Sequence, residues 1–170
     1  MPNWCFNKIT IRAGADTRSK IKNLLKGNEY YRAFNAEENA PLMSSETLFS
    51  FHNVIPQPDN ILDLADPRRK TDIPQSRDPK GAMPDWYAWR VNNWGTKWSV
   101  SEVQMSETDT SLTYCFETAW APPEMVVKRL SEMFPNAYIV LSFDEPGCLG
   151  KGATHYKGGE VVKETGVGVS

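Results

Sequence analysis

The sequence contains few of the residues from which catalytic and metal sites are built. Among its 170 residues are two histidines and three widely spaced cysteines, Cys5, Cys115 and Cys148. Without a CxxC pair or a Cys/His cluster, these cysteines indicate neither a zinc site nor a disulfide framework. The motifs of nucleotide hydrolases, metalloproteases and calcium-binding loops are missing as well. We therefore expect no metal and no cofactor, and an enzyme is the less favoured class of protein.

Long hydrophobic runs and an excess of charge are also absent. No run approaches the ~18 apolar residues of a membrane span, and the first residues do not form a signal-peptide pattern. The net charge is -2 and the pI is about 5.7, whereas proteins that bind phosphate backbones usually have a basic excess. We therefore expect a cytoplasmic protein with no membrane partner, for which nucleic acid is not the favoured partner.

Hydrophobic periodicity predicts a mixed α+β domain. Alternating apolar residues predict strands at 5–13, 48–55, 99–106, 111–120 and 137–143. Apolar residues at helical spacing predict one helix at 17–27 and another that opens at Pro122-Pro123 and ends at Pro135. Short helices are expected near 28–34 and 86–92, and a terminal hairpin is expected to pair 155–157 with 160–162.

The order of these elements predicts a ferredoxin-like β-α-β-β-α-β core. Residues 3–58 and 99–147 are expected to form this core within a single domain. Residues 59–98, rich in tryptophan and proline, are an insertion after the second strand, and residues 148–170 form a tail with the hairpin. Both core helices are expected on one face of the sheet, with the strands at 5–13 and 99–106 at its centre.

Tryptophan is concentrated in one part of the chain, because five of the six tryptophans lie between 86 and 120. Tryptophan combines a large apolar area with one N–H donor and is enriched where proteins bind partners. A lysine between two tryptophans is suited to binding a phosphate or carboxylate. The candidate binding site comprises Trp89, Trp94, Gly95, Lys97, Trp98 and Trp120. The alternative is a structural role, in which the aromatic residues cover one end of the sheet.

Two other groups of residues have candidate roles. On the first strand Phe6, Lys8 and Arg12 share one face, an arrangement that also occurs in modules that bind RNA on a sheet surface. Asp144 and Glu145 follow the last predicted strand of the core and point to opposite faces if the strand continues. We therefore expect a solvated strand end there rather than a catalytic pair of carboxylates.

Four local signatures resemble one protein family. They are Pro2-Asn3-Trp4-Cys5 with Asn7, Val54-Ile55-Pro56-Gln57-Pro58, Asn93-Trp94-Gly95-Thr96-Lys97-Trp98, and Glu117-Thr118-Ala119-Trp120-Ala121-Pro122-Pro123. From Pro2 to about Gly150 the chain resembles the YubB type of phage- and plasmid-borne proteins with a ferredoxin-like domain. The resemblance implies this fold and carriage on a mobile genetic element. It supplies no catalytic residues.

These observations favour a non-enzymatic binding protein of a phage or plasmid that acts in the cytoplasm of the host cell. The expected partner is a host protein or a small anionic, nucleotide-like ligand. Counter-defence by sequestering a host component is the context that the resemblance implies. A module that binds RNA or single-stranded nucleic acid on the sheet surface is one alternative, and an enzyme of unrecognised type is the other.

Overall fold

The computed structural model describes residues 3–31, 43–58 and 85–166, which form eight strands and four helices. The strands are β1 (Trp4–Arg12), β2 (Gly27–Tyr31), β3 (Met43–Thr47), β4 (Ser101–Glu107), β5 (Ser111–Ala119), β6 (Tyr138–Glu145), β7 (Gly150–Lys157) and β8 (Glu160–Gly166). The helices are α1 (Ala15–Leu25), α2 (Phe51–Val54), α3 (Asp85–Trp94) and α4 (Glu124–Met133).

Six of the strands form one antiparallel sheet in the order β4-β5-β1-β6-β7-β8. Together with α1 and α4, its first four strands make a ferredoxin-like core, which confirms the predicted fold class. β7 and β8 form the predicted terminal hairpin and extend the sheet beyond β6. The central strands of the core are β1 and β5, so the predicted central position of the strand at 99–106 is wrong. That segment forms the edge strand β4.

Residues 48–55, predicted as the second strand, form no strand and contain α2 instead. Ser50 precedes this helix, and its hydroxyl oxygen accepts a hydrogen bond from the Asn53 backbone N–H at 3.3 Å, the usual arrangement at a helix start. Phe51 and Val54 are buried three residues apart, as one helix face requires. The apolar run therefore belongs to a short helix, and β4 occupies the sheet position that was predicted for it.

Residues 28–34, predicted as a short helix, begin as β2. This strand pairs with β3 from Gly27 opposite Thr47 to Tyr31 opposite Met43, as a separate two-stranded sheet. The predicted end of the first helix at Gly27 is also too late, because α1 ends at Leu25 and the backbone at Lys26 is already extended. Most of the predicted insertion, residues 59–84, lies outside the described residues.

The two faces of the six-stranded sheet differ in burial. Ile9 and Ile11 of β1 are fully buried and pack with Leu130 of α4 in the core. Phe6 and Lys8 alternate with the inward-facing residues and are exposed. Fully burying an aliphatic side chain stabilises a fold by roughly 1.5–3 kcal/mol, so the helix-covered face holds the fold together. The opposite face, on which Phe6 and Lys8 are exposed, is called the open face.

Candidate functional site

Three chain segments lie side by side at the start of β1. The Thr96 hydroxyl donates a hydrogen bond to the Ala119 carbonyl oxygen at 2.8 Å, and the Trp120 backbone N–H donates to the Asn3 carbonyl oxygen at 2.9 Å. These bonds join the segment after α3, the end of β5 and the residue before β1. We name the side chains that these segments present the aromatic corner: Trp4, Lys97, Trp98 and Trp120.

Trp120 is held at the surface in a strained backbone conformation. Its φ of 72° lies in the left-handed region, which costs a residue with a Cβ roughly 1–2 kcal/mol. In this conformation Trp120 is 48% exposed, so the strain is not offset by burial of the indole ring. The turn is held in place by the Thr118 hydroxyl, which donates to the Ala121 carbonyl oxygen at 2.7 Å. Strained backbone conformations cluster at active sites and ligand clamps, so this turn is a candidate for a functional role.

Lys97 lies between two aromatic rings. Its Nζ is 4.9 Å from the centre of the Tyr87 ring and 4.7 Å from that of Trp98, within the range of cation–π attraction. Trp98 also contacts Trp4, with 6.2 Å between their ring centres. In the described part of the chain Lys97 has no carboxylate partner. Its positive charge is therefore held beside two half-buried aromatic rings without a carboxylate to neutralise it.

Trp94 and Trp89, both predicted as binding residues, pack towards the core. The Trp94 side chain is 2% exposed, and its indole N–H donates to the Ile55 carbonyl oxygen at 2.9 Å. Its ring meets Phe51 edge to face at 5.6 Å, and Trp89 packs against it at the same distance. The prediction that Trp94 is exposed for binding is wrong, because its ring fills the core. Trp89 is only half-buried. Trp94 thus has the structural role, and a binding role stays a prediction for the other residues of the candidate site.

Gly95 brings the segment after α3 close to the start of α4. Its φ of 85° lies in the left-handed region that glycine adopts without strain. A Cβ at this position would lie 3.2 Å from the Pro122 carbonyl oxygen. Gly95 therefore positions Lys97 and Trp98 beside the turn at Trp120.

A buried asparagine, which the sequence did not mark as functional, supports the aromatic corner from inside. Asn7 lies on the helix-covered face of β1 and is buried. Its side-chain N–H groups donate to the Cys5 carbonyl oxygen at 2.9 Å and to the Thr118 hydroxyl oxygen at 2.8 Å. Since Thr118 in turn bonds Ala121, this network connects the core to the strained turn. The sequence feature that could have identified Asn7 is a polar residue at a core-facing position of an apolar strand.

Glu145, predicted at a solvated strand end, is 1% exposed. Its carboxylate accepts backbone N–H bonds from Leu149 at 2.9 Å, Cys148 at 2.6 Å and Gly147 at 2.9 Å. These bonds, with one from the Asn3 side chain, lower the pKa of Glu145 below its usual value despite its burial. The predicted solvation of Glu145 is wrong because the chain folds back over it. The carboxylate anchors Asn3, which also accepts the Trp120 N–H.

We expect that Glu145→Gln lowers the melting temperature by roughly 5 °C at neutral pH, because an amide oxygen accepts these N–H bonds more weakly than a carboxylate does. A carboxyl group whose pKa is lowered by folding stabilises the protein above its unfolded pKa. That stabilisation is lost as the pH falls through the lower, folded pKa. The difference in melting temperature between wild type and variant should therefore shrink below about pH 4.

The control for Glu145→Gln is Glu132→Gln, at an exposed residue that pairs with Arg129 on the surface of α4. Such surface pairs contribute little to stability, so its melting temperature should stay close to that of the wild type. A Glu145→Gln variant whose deficit is the same at acidic and neutral pH would contradict the role given to the charged carboxylate.

Two buried titratable groups on the core side are inert rather than activated. Burial is the main reason that the pKa of the Cys5 thiol is raised to about 12 and that of Tyr114 to about 12. Both groups are therefore protonated at neutral pH, and neither is a nucleophile or base there. No group of three or more potential metal ligands occurs among the described residues. The enzyme alternative stays a prediction without a specific observation in its favour.

The open face of the sheet holds a shallow groove of about 470 Å³ beside Phe6 and Lys8. Glu117 and Asp144 line the same groove, and Asp144 forms an ion pair with Lys151 at 2.8 Å. Carboxylates thus lie near Lys8 at this end of the face. This mixture of charges does not favour an anionic ligand in the groove.

Residues 93–166 match a family model, the ferredoxin-like domain in Api92-like protein. This Api92-like segment runs from the end of α3 through β8 and includes Trp94, Lys97, Trp98 and Trp120. In this fold it supplies β4, β5, α4 and β6, and the core is completed by β1 and α1.

The crystal structure of a protein Api92 from Yersinia pseudotuberculosis is similar to the whole chain. The TM-score is 0.66 at 11% sequence identity, over 100% of this chain and 99% of the Api92 chain. At this identity the likeness shows the fold alone. No curated protein matches the chain. None of the helices in the described residues has the length and apolar composition needed to cross a bilayer.

Proposed function

We propose that this protein is a non-enzymatic binding protein and that it binds a host protein through the aromatic corner. The observation that carries the proposal is Trp120, which is 48% exposed although its backbone lies in the left-handed region. Both features are unfavourable for the isolated chain, since the backbone is strained and an indole faces water. A partner that covers the indole would recover the second cost.

The chemistry of the corner suits a protein surface with an apolar recess and an acidic rim. Exposed tryptophan is a common energetic centre of protein interfaces. Lys97 adds an oriented positive charge beside Trp98, and such a charge favours encounter with an acidic partner. A small anionic, nucleotide-like ligand is the second candidate, since an indole face and an ammonium group suit a base and its phosphate.

The biological context rests on the resemblance to the YubB type. On that basis the protein is encoded by a phage or plasmid and acts in the host cytoplasm, where it sequesters a host component as counter-defence. Occlusion of a partner requires only a surface of the right shape and charge. The corner supplies such a surface without catalytic groups.

The test compares the proteins that immobilised wild type and Trp120→Ala enrich from bacterial lysate. If Trp120 is an interface centre, one host protein should be enriched by wild type and reduced by about 30-fold or more with the variant, the loss typical of such residues. Its direct affinity would then be measured with the purified partner.

Met125→Ala is the matched control. Met125 lies one residue into α4 and is 49% exposed, so its truncation removes a similarly exposed apolar side chain close by. This variant should retain the partner. Equal enrichment by wild type and Trp120→Ala, with both variants folded by circular dichroism, would refute the proposal.

A further inference from the structure

The opposite end of the open sheet face, away from the aromatic corner, carries a second group of side chains. We name it the basic patch: Arg12, Tyr138, His155, Lys157 and Lys163. Strand register places Arg12 of β1 opposite Tyr138 of β6, and Tyr138 opposite Lys157 of β7. In the neighbouring row His155 of β7 lies opposite Lys163 of β8. Three strands beyond β1 thus contribute to one surface.

Tyr138 and His155 form the centre of the basic patch. The Tyr138 hydroxyl and His155 Nδ1 are 2.9 Å apart, within hydrogen-bond distance, and the ring centres are 5.7 Å apart. Both side chains are half-buried. This contact holds the tyrosine ring in place on the sheet, with part of its surface accessible.

The cations around this centre are not neutralised. In the described part of the chain neither Arg12 nor Lys163 has a carboxylate within ion-pair distance, and the Lys157 ammonium bonds only the Asn136 carbonyl oxygen, at 2.8 Å. Strand register places one carboxylate beside these cations, that of Glu160, which lies opposite Lys157.

The charges elsewhere explain how a patch of this kind occurs in a protein of net charge -2. Glu107, for example, bonds Arg18 and Lys22 of α1, and Glu117 and Asp144 lie at the other end of the open face. Positive charge is therefore concentrated in the basic patch. A nucleic acid that binds there interacts with this local charge rather than with the net charge of the protein.

We propose that the basic patch binds single-stranded nucleic acid. Neighbouring strands are about 4.8 Å apart, so Arg12 and Lys157 lie roughly 10 Å apart on either side of Tyr138. Cations on both sides of an aromatic ring can contact the phosphates that flank a base stacked on that ring, the combination that proteins use for single strands. A duplex hides its base faces and would not use the tyrosine. This site does not depend on the aromatic corner.

The test measures the fluorescence anisotropy of labelled oligo(U) and oligo(dT) of about 12 nucleotides at about 50 mM salt. Three phosphate contacts, one each for Arg12, Lys157 and Lys163, predict a slope of about -2 for log affinity against log salt. Lys163→Glu should weaken binding on the order of 10-fold and flatten this slope. Tyr138→Leu should weaken binding about 10-fold and leave the slope unchanged, because stacking releases no counterions.

Lys128→Glu is the matched control, because it makes the same change of charge at an exposed residue of α4. Its affinity for the oligonucleotides should stay within about twofold of wild type if the charge acts locally. Trp120→Ala should also bind as wild type does, which separates this site from the aromatic corner. Thermal unfolding of each variant checks that it is folded.

Four results would overturn the proposal. They are absence of binding at low salt, equal losses in Lys128→Glu and Lys163→Glu, a loss in Trp120→Ala as large as that in Tyr138→Leu, and equally strong competition by polyglutamate. The last result would assign the patch to an acidic protein. Retained binding in Trp120→Ala together with loss in Tyr138→Leu would support the proposal even if no host protein is found for the corner.

Discussion

Replacing Trp94 by alanine is expected to lower the free energy of unfolding by about 3–5 kcal/mol. The substitution removes the ring contacts with Phe51 and Trp89 and the hydrogen bond to the Ile55 carbonyl oxygen. It also leaves a cavity in the core between α2 and α3 that the surrounding side chains can fill only in part. Urea unfolding monitored by circular dichroism measures the change.

Trp120→Gly is the comparison for Trp94→Ala, since it deletes the same side chain at the surface. Glycine adopts the left-handed backbone of residue 120 without strain, so the free energy of unfolding should stay within about 1 kcal/mol of wild type. A destabilisation by Trp120→Gly as large as that by Trp94→Ala would contradict the division into one core and one surface tryptophan.

The second large effect is expected at Asn7. Asn7→Ala should lower the free energy of unfolding by about 2–3 kcal/mol, because it leaves the Cys5 carbonyl and the Thr118 hydroxyl with one bond fewer inside the protein. Thr118→Val removes the same bond from the other side, and also the bond to Ala121 that holds the turn at Trp120.

A double-mutant cycle tests whether Asn7 and Thr118 act as one network. The double variant should be less destabilised than the sum of the two single variants, by roughly 1 kcal/mol, because the shared bond is lost only once. Thr118→Val should in addition weaken binding of the host partner by loosening the turn. Additive effects on stability would indicate that the two residues act independently.

The elements that were predicted well are those whose side-chain periodicity is unambiguous. β1, the β4–β5 hairpin, α4 and β6 all lie within a few residues of the predicted ranges. In β5 the buried residues alternate from Leu112 to Thr118, and this pattern is readable without any partner. Each such segment buries one face, so the spacing of apolar residues reports the local conformation.

The errors concern segments whose conformation is not reported by the periodicity of apolar residues. The run at 48–55 is apolar enough for a strand, but the Ser50 cap and the fit of Phe51 and Val54 into the core select a helix. Glu145 carries a polar side chain at a strand end, and only the fold of residues 147–149 over it makes it buried. The hydrogen bonds at Ser50 and Glu145 are formed between near neighbours in the chain, but apolar periodicity does not report such bonds.

The candidate site likewise has features that the sequence indicated and features that only the structure shows. The sequence indicated that the tryptophans near Gly95 and Trp120 belong together, and the Thr96–Ala119 bond brings their segments together. Which of the rings face outward could not be predicted, because tryptophan contributes both to cores and to interfaces. The packing of α3 against α2 placed Trp94 inside, and the strained turn left Trp120 outside.

By itself the sequence determined that this is an α+β protein with a ferredoxin-like core, because most of its strands and helices can be recognised from local periodicity, although the predicted second strand is a helix. The tertiary structure alone decided which strands are central, which indole is exposed and where positive charge collects on the sheet. Those properties arise from strand register and from contacts between residues far apart in the chain. Such contacts are selected by packing of the complete core, and local propensity does not contain them.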